Sequence, residues 1–270
     1  MIDRTRLEQI LREAGAIALA AWPGAGGTTQ VWEKAPGNPV SAADLAVDAF
    51  LRTELSQLLP AAEWLSEETA DHPARLGPDR RGAGLLWLVD PIDGTRDFIH
   101  GRSGWAVSVA LVNAGRPLLG MLYAPARGGE TGELWWAEAG QGAWRNGVGL
   151  AASRRDALPG ARVPAHALPP EDADLAMVEQ PNSIALRMAM VAADEADLVA
   201  TLRWGYEWDI GAAALIAREA GATVTDAFGG ALHYNKADPR AFGVLCCAPA
   251  IHAAACARLA ARAQRIAAAN

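Results

Sequence analysis

Apolar residues recur three and four positions apart at Leu7, Ile10, Leu11, Ala14, Ile17, Ala18 and Ala21, a spacing that predicts an amphipathic helix ending at Pro23 and Gly24. Residues 24–39 are rich in glycine and proline and read as a long surface loop, a kind of segment that often carries function in a compact domain. Ser41 then offers an N-cap with Asp44 three places on, a capping box that opens a second helix carrying Leu45, Ala49, Leu55, Leu58 and Leu59. A polar loop follows through His72, Pro73, Gly77 and Pro78. Residues 85–89 form a short, unbroken apolar run, the pattern of a buried strand that delivers Asp90 at its end. Alternation at Trp105, Val107, Val109 and Leu111, then apolar stretches at 118–123 and 134–137, predict antiparallel strands, with turns at Asn113-Ala114-Gly115 and Asn146-Gly147.

Beyond about Leu150 short strands alternate with helices. The strands are expected at 176–179, 197–202, 222–225 and 242–247, and the helices at 183–193, 209–220 and 250–268. The change of pattern suggests an N-terminal α+β domain over 1–148, built on an antiparallel sheet, and a C-terminal α/β domain over 149–270. A chain of 270 residues can bury a sizeable core without disulfides.

The balance of 24 basic against 31 acidic residues, a net charge of -7, argues against a nucleic-acid polymer as partner. A small anionic substrate fits if bound cations reverse the sign locally. Three cysteines, Cys246, Cys247 and Cys256, suit a reducing cytoplasm. The amphipathic start lacks the apolar core of a signal peptide, and no stretch is free enough of charge and glycine to span a bilayer, so a cytoplasmic protein that does not engage membranes is expected.

Acidic residues gather at the ends of apolar elements: Glu67 and Glu68 after Trp64-Leu65, Asp90 and Asp93 after the buried strand, and Asp209 after Trp208. Hard divalent cations favour such oxygen donors, and four or five carboxylates suffice for two magnesium ions. Pro91 stiffens the link between Asp90 and Asp93, and Gly94 lets the backbone approach a ligand. A short helix beginning near Thr95 would aim the amides of Gly94 and Thr95 at a phosphate group. Each acid also has a plainer reading. Asp90 and Asp93 can cap a turn, Asp44 can serve only the capping box, Asp209 can cap its helix, and Glu68 can be solvated. The five histidines show no zinc-binding spacing, and Gly24-Ala25-Gly26-Gly27 lacks the context of a phosphate loop.

The string Asp90-Pro91-Ile92-Asp93-Gly94-Thr95, with Ser66-Glu67-Glu68 upstream and Trp208-Asp209 downstream, resembles the inositol monophosphatase superfamily of lithium-sensitive, magnesium-dependent phosphatases. Pro39-Val40-Ser41-Ala42-Ala43-Asp44 and the segment 219–226 extend the resemblance over nearly the whole chain. It implies a layered αβαβα sandwich and two to three magnesium ions. Glu67, Asp90 and the Ile92 carbonyl would bind one ion, and Asp90, Asp93 and Asp209 a second. A third, looser ion would lean on Glu67. Asp44 and Thr95 would orient and deprotonate the attacking water with Glu68 nearby, and Gly94 and Thr95 would hold the phosphate. Ser41 stands where the family usually has threonine. A homodimer is common in the family, and the segments around Trp135, Trp136 and Trp144 suit either core or such an interface.

Within the superfamily, Asn38 to Asp44 and Arg96-Asp97-Phe98-Ile99 are similar to the bisphosphate nucleotidases. Inositol enzymes carry an acid several positions before Trp-Asp, whereas residues 201–206 hold none and Glu207 sits too close to Trp208. Arg203 instead suits a second phosphate or is solvated, and Ser183 is a further candidate for substrate contact. The expected substrate is therefore 3'-phosphoadenosine 5'-phosphate, with inositol or another sugar monophosphate as the alternative. A non-catalytic, metabolite-binding relative would be marked by a broken ligand set, and every expected carboxylate is present.

Overall fold

The computed structural model describes residues 2–35, 38–69 and 84–269; the polar loop expected through His72, Pro73, Gly77 and Pro78 lies outside the described residues. The first part comprises α1 (Arg4–Ala21), β1 (Val31–Ala35), β2 (Asn38–Ser41), α2 (Ala42–Leu58), β3 (Glu63–Ser66) and β4 (Leu85–Asp93). Next come α3 (Thr95–Ile99), β5 (Ala106–Asn113), β6 (Arg116–Ala124), β7 (Glu133–Glu138), β8 (Ala143–Arg145) and β9 (Val148–Gly149). The remainder is β10 (Arg162–Pro164), β11 (Ala176–Val178), α4 (Ile184–Ala192), β12 (Leu198–Tyr206), α5 (Glu207–Glu219), β13 (Thr223–Thr225), β14 (Arg240–Cys247) and α6 (His252–Ala268).

Among the described residues, β3 to β9 lie side by side in sequence order as a seven-stranded sheet. Its first pair, β3 and β4, is parallel, and every later pair is antiparallel. Helices α1 and α2 cover one face, and α4 and α5 lie on the other side, where α5 crosses β4 to β7. The far side of α4 and α5 meets a second sheet of order β12-β14-β13, and α6 closes that sheet from outside. The five layers are the expected αβαβα sandwich. The strand and helix alternation of the C-terminal half nonetheless builds an antiparallel sheet.

Burial on both faces explains why the central strands read as apolar at nearly every position. In β4, Trp87 and Val89 join Leu7, Ile10, Leu51 and Leu55 in the core beneath α1 and α2, whereas Leu86 and Leu88 join Met188, Ile210 and Ile216 beneath α4 and α5. Helix α5 is enclosed along almost its whole length, and its Gly211, Ala212, Ala213 and Ala214 keep it close to the sheet. A side chain at Gly120 of β6 would meet the Ala212 carbonyl oxygen at 2.6 Å, so glycine sets the depth of this contact.

Three local readings change. Residues 24–39 are not loop throughout, because β1 pairs antiparallel with β2 and brings Lys34 toward the carboxylates. In α2 the buried side is Ala43, Asp44, Val47, Asp48, Leu51 and Leu55, while Leu45 is 43% exposed. A helix that must present two acids inward gives up part of its apolar stripe to them. Strand β4 continues past Val89 to Asp93 through an irregular register between Asp90 and Asp93, and β12 runs on through Arg203 to Tyr206. Pro91 has no amide to offer a ladder, and a bulge there absorbs it. Trp135 is core, and Trp136 stacks on Trp144 with the Arg4 guanidinium 4.2 Å from its ring centre.

The C-terminal half is tied together by Asp197, buried just before β12. Its carboxylate accepts from Ser153 Oγ at 2.5 Å, from the Arg162 backbone amide at 2.8 Å and from Arg162 Nη2 at 2.7 Å. Burial opposes ionisation, but the Arg162 and Ser153 bonds prevail and hold the carboxyl down at about 2. A folded-state value below the unfolded one contributes stability above the unfolded pKa, and that contribution is lost as pH falls through the folded value. Asp197→Asn should therefore cost about 3 kcal/mol at pH 7. In denaturant titrations, the gap between wild type and variant should close as pH falls from about 4 toward 2.

Candidate active site

Three helix N-termini and the end of β4 converge on one cleft. The backbone breaks at these points and turns its amides toward the opening, which is where buried carboxylates find donors. Asp44, at the third position of α2, closes the expected capping box: Oδ2 accepts from the Ser41 amide at 2.8 Å and from Ser41 Oγ at 2.6 Å. Asp93 accepts from the Ala185 amide at 2.7 Å and from Ser183 Oγ at the start of α4. Asp209, in the first turn of α5, accepts from the Tyr206 amide at 2.9 Å. Each acid satisfies a helix end, and Asp93 and Asp209 also line the cleft, so a capping role does not exclude a place at the site.

The cleft, about 180 Å³, is lined by Glu67, Asp90, Ile92, Asp93, Gly94, Thr95, Arg96, Arg203 and Asp209 together with Pro39, Asn182 and Ile184. Asp44 stands behind this wall at 1% exposure and reaches it through Thr95, whose hydroxyl lies 3.3 Å from Asp44 Oδ1 and 3.1 Å from the Ile92 carbonyl oxygen. Short helix α3 starts at Thr95, as expected, with Gly94 at φ 98°. A side chain on Gly94 would meet the Gly104 carbonyl oxygen at 2.6 Å and the Ser183 amide nitrogen at 2.9 Å. Both the turn and the packing require glycine here.

Burial raises the pKa of Asp90 well above the ordinary carboxylate range, and the charges of Glu67, Asp93, Asp209 and Asp44 add to it. Asp209 is raised in the same way by burial and then by Asp93 and Glu67. Asp93 and Asp44 rise to about 6, again chiefly through burial, with the hydrogen bonds from Ser183 and Ser41 opposing the rise. Acids that raise one another's pKa in this way form an electrostatic trap for a cation.

Ser183 does not lie open to a substrate. It is fully buried, and its hydroxyl is committed to Asp93 and to the Leu186 amide at 2.9 Å, so it positions a carboxylate. Glu68 is drawn to Lys34 Nζ at 2.7 Å, which also lies 3.3 Å from Glu67 Oε1. Burial lifts the Glu68 carboxyl to about 7 even beside that ammonium. The sequence reading did not single out Lys34, and its place on β1 offered no motif to find it by. Asp48 was also missed, although it lies one turn beyond Asp44 on the same face of α2; it accepts from Ser66 Oγ, whose oxygen in turn accepts from the Glu68 amide at 3.2 Å. Asp97 is buried and accepts from the Asn182 amide at 2.9 Å, tying α3 to the approach of α4.

Among the described residues no three acidic, histidine or cysteine side chains close on one point as a finished metal cage. The donors nevertheless suit a hard divalent cation. They are carboxylate oxygens lining one cleft with the Ile92 carbonyl among them, and their mutual repulsion is relieved by positive charge. No helix among the described residues is long and apolar enough to cross a membrane.

The family model described as the inositol monophosphatase family matches residues 4–265. A 3'(2'),5'-bisphosphate nucleotidase of Escherichia coli O157:H7 is 32% identical over 237 residues, covering 84% of this chain and 92% of that protein. An inositol-1-monophosphatase of Mesorhizobium japonicum is 36% identical over 216 residues, covering 74% and 77%. Among solved structures, the Thermotoga maritima IMPase superposes with a TM-score of 0.79 at 26% identity, covering 98% of this chain and all of that one. The extragenic suppressor protein suhB of Bartonella henselae gives 0.75 at 28%, covering 94% and 97%.

Gly94→Ala should lose about 3 kcal/mol of stability, the sum of a strained left-handed residue and overpacking against fixed backbone. Thermal unfolding would register this as a drop in Tm, and cleft activity should fall with it because Asp93 and Thr95 flank the displaced turn.

Proposed function

The chain belongs to the inositol monophosphatase family, and from that premise we infer that it is a magnesium-dependent phosphomonoesterase removing the 3'-phosphate of 3'-phosphoadenosine 5'-phosphate. The family's phosphatase chemistry is the firm ground, and the bisphosphate substrate is the step taken from it. Glu67, Asp90 and the Ile92 carbonyl would hold one ion, Asp90, Asp93 and Asp209 a second, and Glu67 a looser third, in competition with Lys34. When bound, such cations acidify a water, offset the phosphoryl charge and stabilise the departing oxygen.

The chain's own residues supply orientation and a proton acceptor. Thr95 can donate to Asp44 while its oxygen accepts a hydrogen from the attacking water. The water proton then passes to Thr95 as the Thr95 proton passes to Asp44 Oδ1. Burial makes Asp44 a stronger base than an ordinary aspartate. The Gly94-Thr95 turn offers backbone to the phosphate.

Arg203 carries the choice of substrate. It is exposed, lines the carboxylate cleft, and has no ion pair with an acid among the described residues. That suits a second phosphate. The alternative, a polyol phosphate, calls for a further acid at this wall besides Asp209, and the adjacent one in the chain is turned away. Glu207 is buried and accepts from the Asn235 amide at 2.6 Å and the Lys236 amide at 3.1 Å. The inositol monophosphatase relatives favour that second reading, which is why the two substrates must be compared directly.

Phosphate release at saturating magnesium should be at least tenfold faster, as kcat/KM, from adenosine 3',5'-bisphosphate than from inositol 1-phosphate, a margin matched to an arginine-phosphate contact. A preference for inositol 1-phosphate would reverse the assignment. Asp90→Asn should reduce kcat by more than about a thousandfold, since it removes a ligand shared by two ions, while Thr95→Ala should cost roughly a hundredfold. Wild-type turnover by the Asp90 variant at saturating magnesium would refute the site.

A further inference from the structure

Beyond the carboxylate cleft the opening continues into a second crevice lined by Thr201, Arg203, Gly205, Tyr206 and Asp209. The two share Ile184, Arg203 and Asp209, so a ligand whose phosphate sits among the acids can extend past Arg203 toward Tyr206. Tyr206 is unusual for a rim residue. The residue is 41% exposed, yet its ring is held nearly parallel to that of the buried Trp208, with centroids 4.4 Å apart and planes inclined by 7°. Its backbone amide is fixed on Asp209 at 2.9 Å. The result is a rigid aromatic surface beside a metal-binding acid, where stacking a ligand ring costs little further ordering.

We propose that Tyr206 is the platform on which an aromatic base stacks, and that it sets this site's preference for nucleotide over polyol phosphates. The proposal rests on the nucleotide reading of the same site. The chemistry of the wall agrees with it: Arg203 and Tyr206 line the crevice with Asp209, whereas the carboxylate of Glu207 points away into its contacts with Asn235 and Lys236. A polyol finds a cation and an aromatic face there, with Asp209 already engaged at the helix end. A purine finds a flat partner for its π face, an interaction that tolerates variation in the base. Tyr206 is thus a specificity residue acting on the leaving group, separate from the groups that handle the phosphate.

The test is a binding comparison that needs no turnover. Adenosine 5'-monophosphate and ribose 5-phosphate, which lacks the base, are titrated calorimetrically in magnesium into wild type, Tyr206→Phe and Tyr206→Ala. Wild type and Tyr206→Phe should bind the nucleotide at least tenfold more tightly than the sugar phosphate, and in Tyr206→Ala that gap should shrink to twofold or less. Binding of ribose 5-phosphate by Tyr206→Ala also reports that the variant is folded. The proposal is overturned if wild type binds the two compounds alike or binds neither, if Tyr206→Ala keeps the tenfold gap, or if Tyr206→Phe loses it. Failure of the substrate assignment appears separately, as a preference for inositol 1-phosphate in phosphate release.

Discussion

Mutual repulsion among buried carboxylates is the constraint around which this molecule is arranged. Asp90 and Asp93 are buried with Asp209 and Glu67 half-buried beside them, and the neighbouring charges raise the cost of ionising Asp90 and Asp209. Such a cluster survives only if the fold supplies compensating dipoles and charge. Helices α2, α4 and α5 start at the site and meet Asp44, Asp93 and Asp209 with backbone amides, hydroxyls or both. The Ile92 amide donates to Asp90 at 3.1 Å, and Lys34 brings an ammonium to Glu67 and Glu68. What remains uncompensated is negative charge, which suits the cleft to a divalent cation.

That arrangement explains the layers. Three helices can present their N-termini to the end of one strand only if they approach it from both sides of the sheet. Helix α2 comes from one face and α4 and α5 from the other. The sheet between them must then be apolar on both faces, and α5, held between two sheets, must be lined with alanine and glycine. Packing and function meet in Gly94, where the same lack of a side chain permits the turn and the close approach of the α4 entrance.

The outer rim of the cleft comes from a different element. Strand β12 belongs to the second sheet, yet its last residues reach the cleft and pass directly into α5. Arg203 and Tyr206 therefore stand next to Asp209, Arg203 easing its ionisation by charge and Tyr206 through its backbone amide.

Much of this was legible along the chain. The capping box at Ser41 and Asp44, the apolar run into Asp90, and the carboxylates themselves are local patterns, set by helix-end chemistry and strand burial. Residue order alone could also show that residues 201–206 hold no acid. Other features depended on contacts between distant segments. Nothing near Lys34 announces that β1 will place it on Glu67 and Glu68, and nothing near Ser183 says that its hydroxyl will be spent on Asp93 some 90 residues away. The double role of α2, which turns Leu45 outward so that Asp44 and Asp48 can face in, is equally hidden, because apolar periodicity assumes that the buried side is greasy. The sequence by itself determined the helix caps, the strand cores and the stock of acids. Only the tertiary structure decided which acids face the cleft and which polar groups support them, because the repulsion and desolvation that select those partners arise only when segments far apart in the chain are buried together.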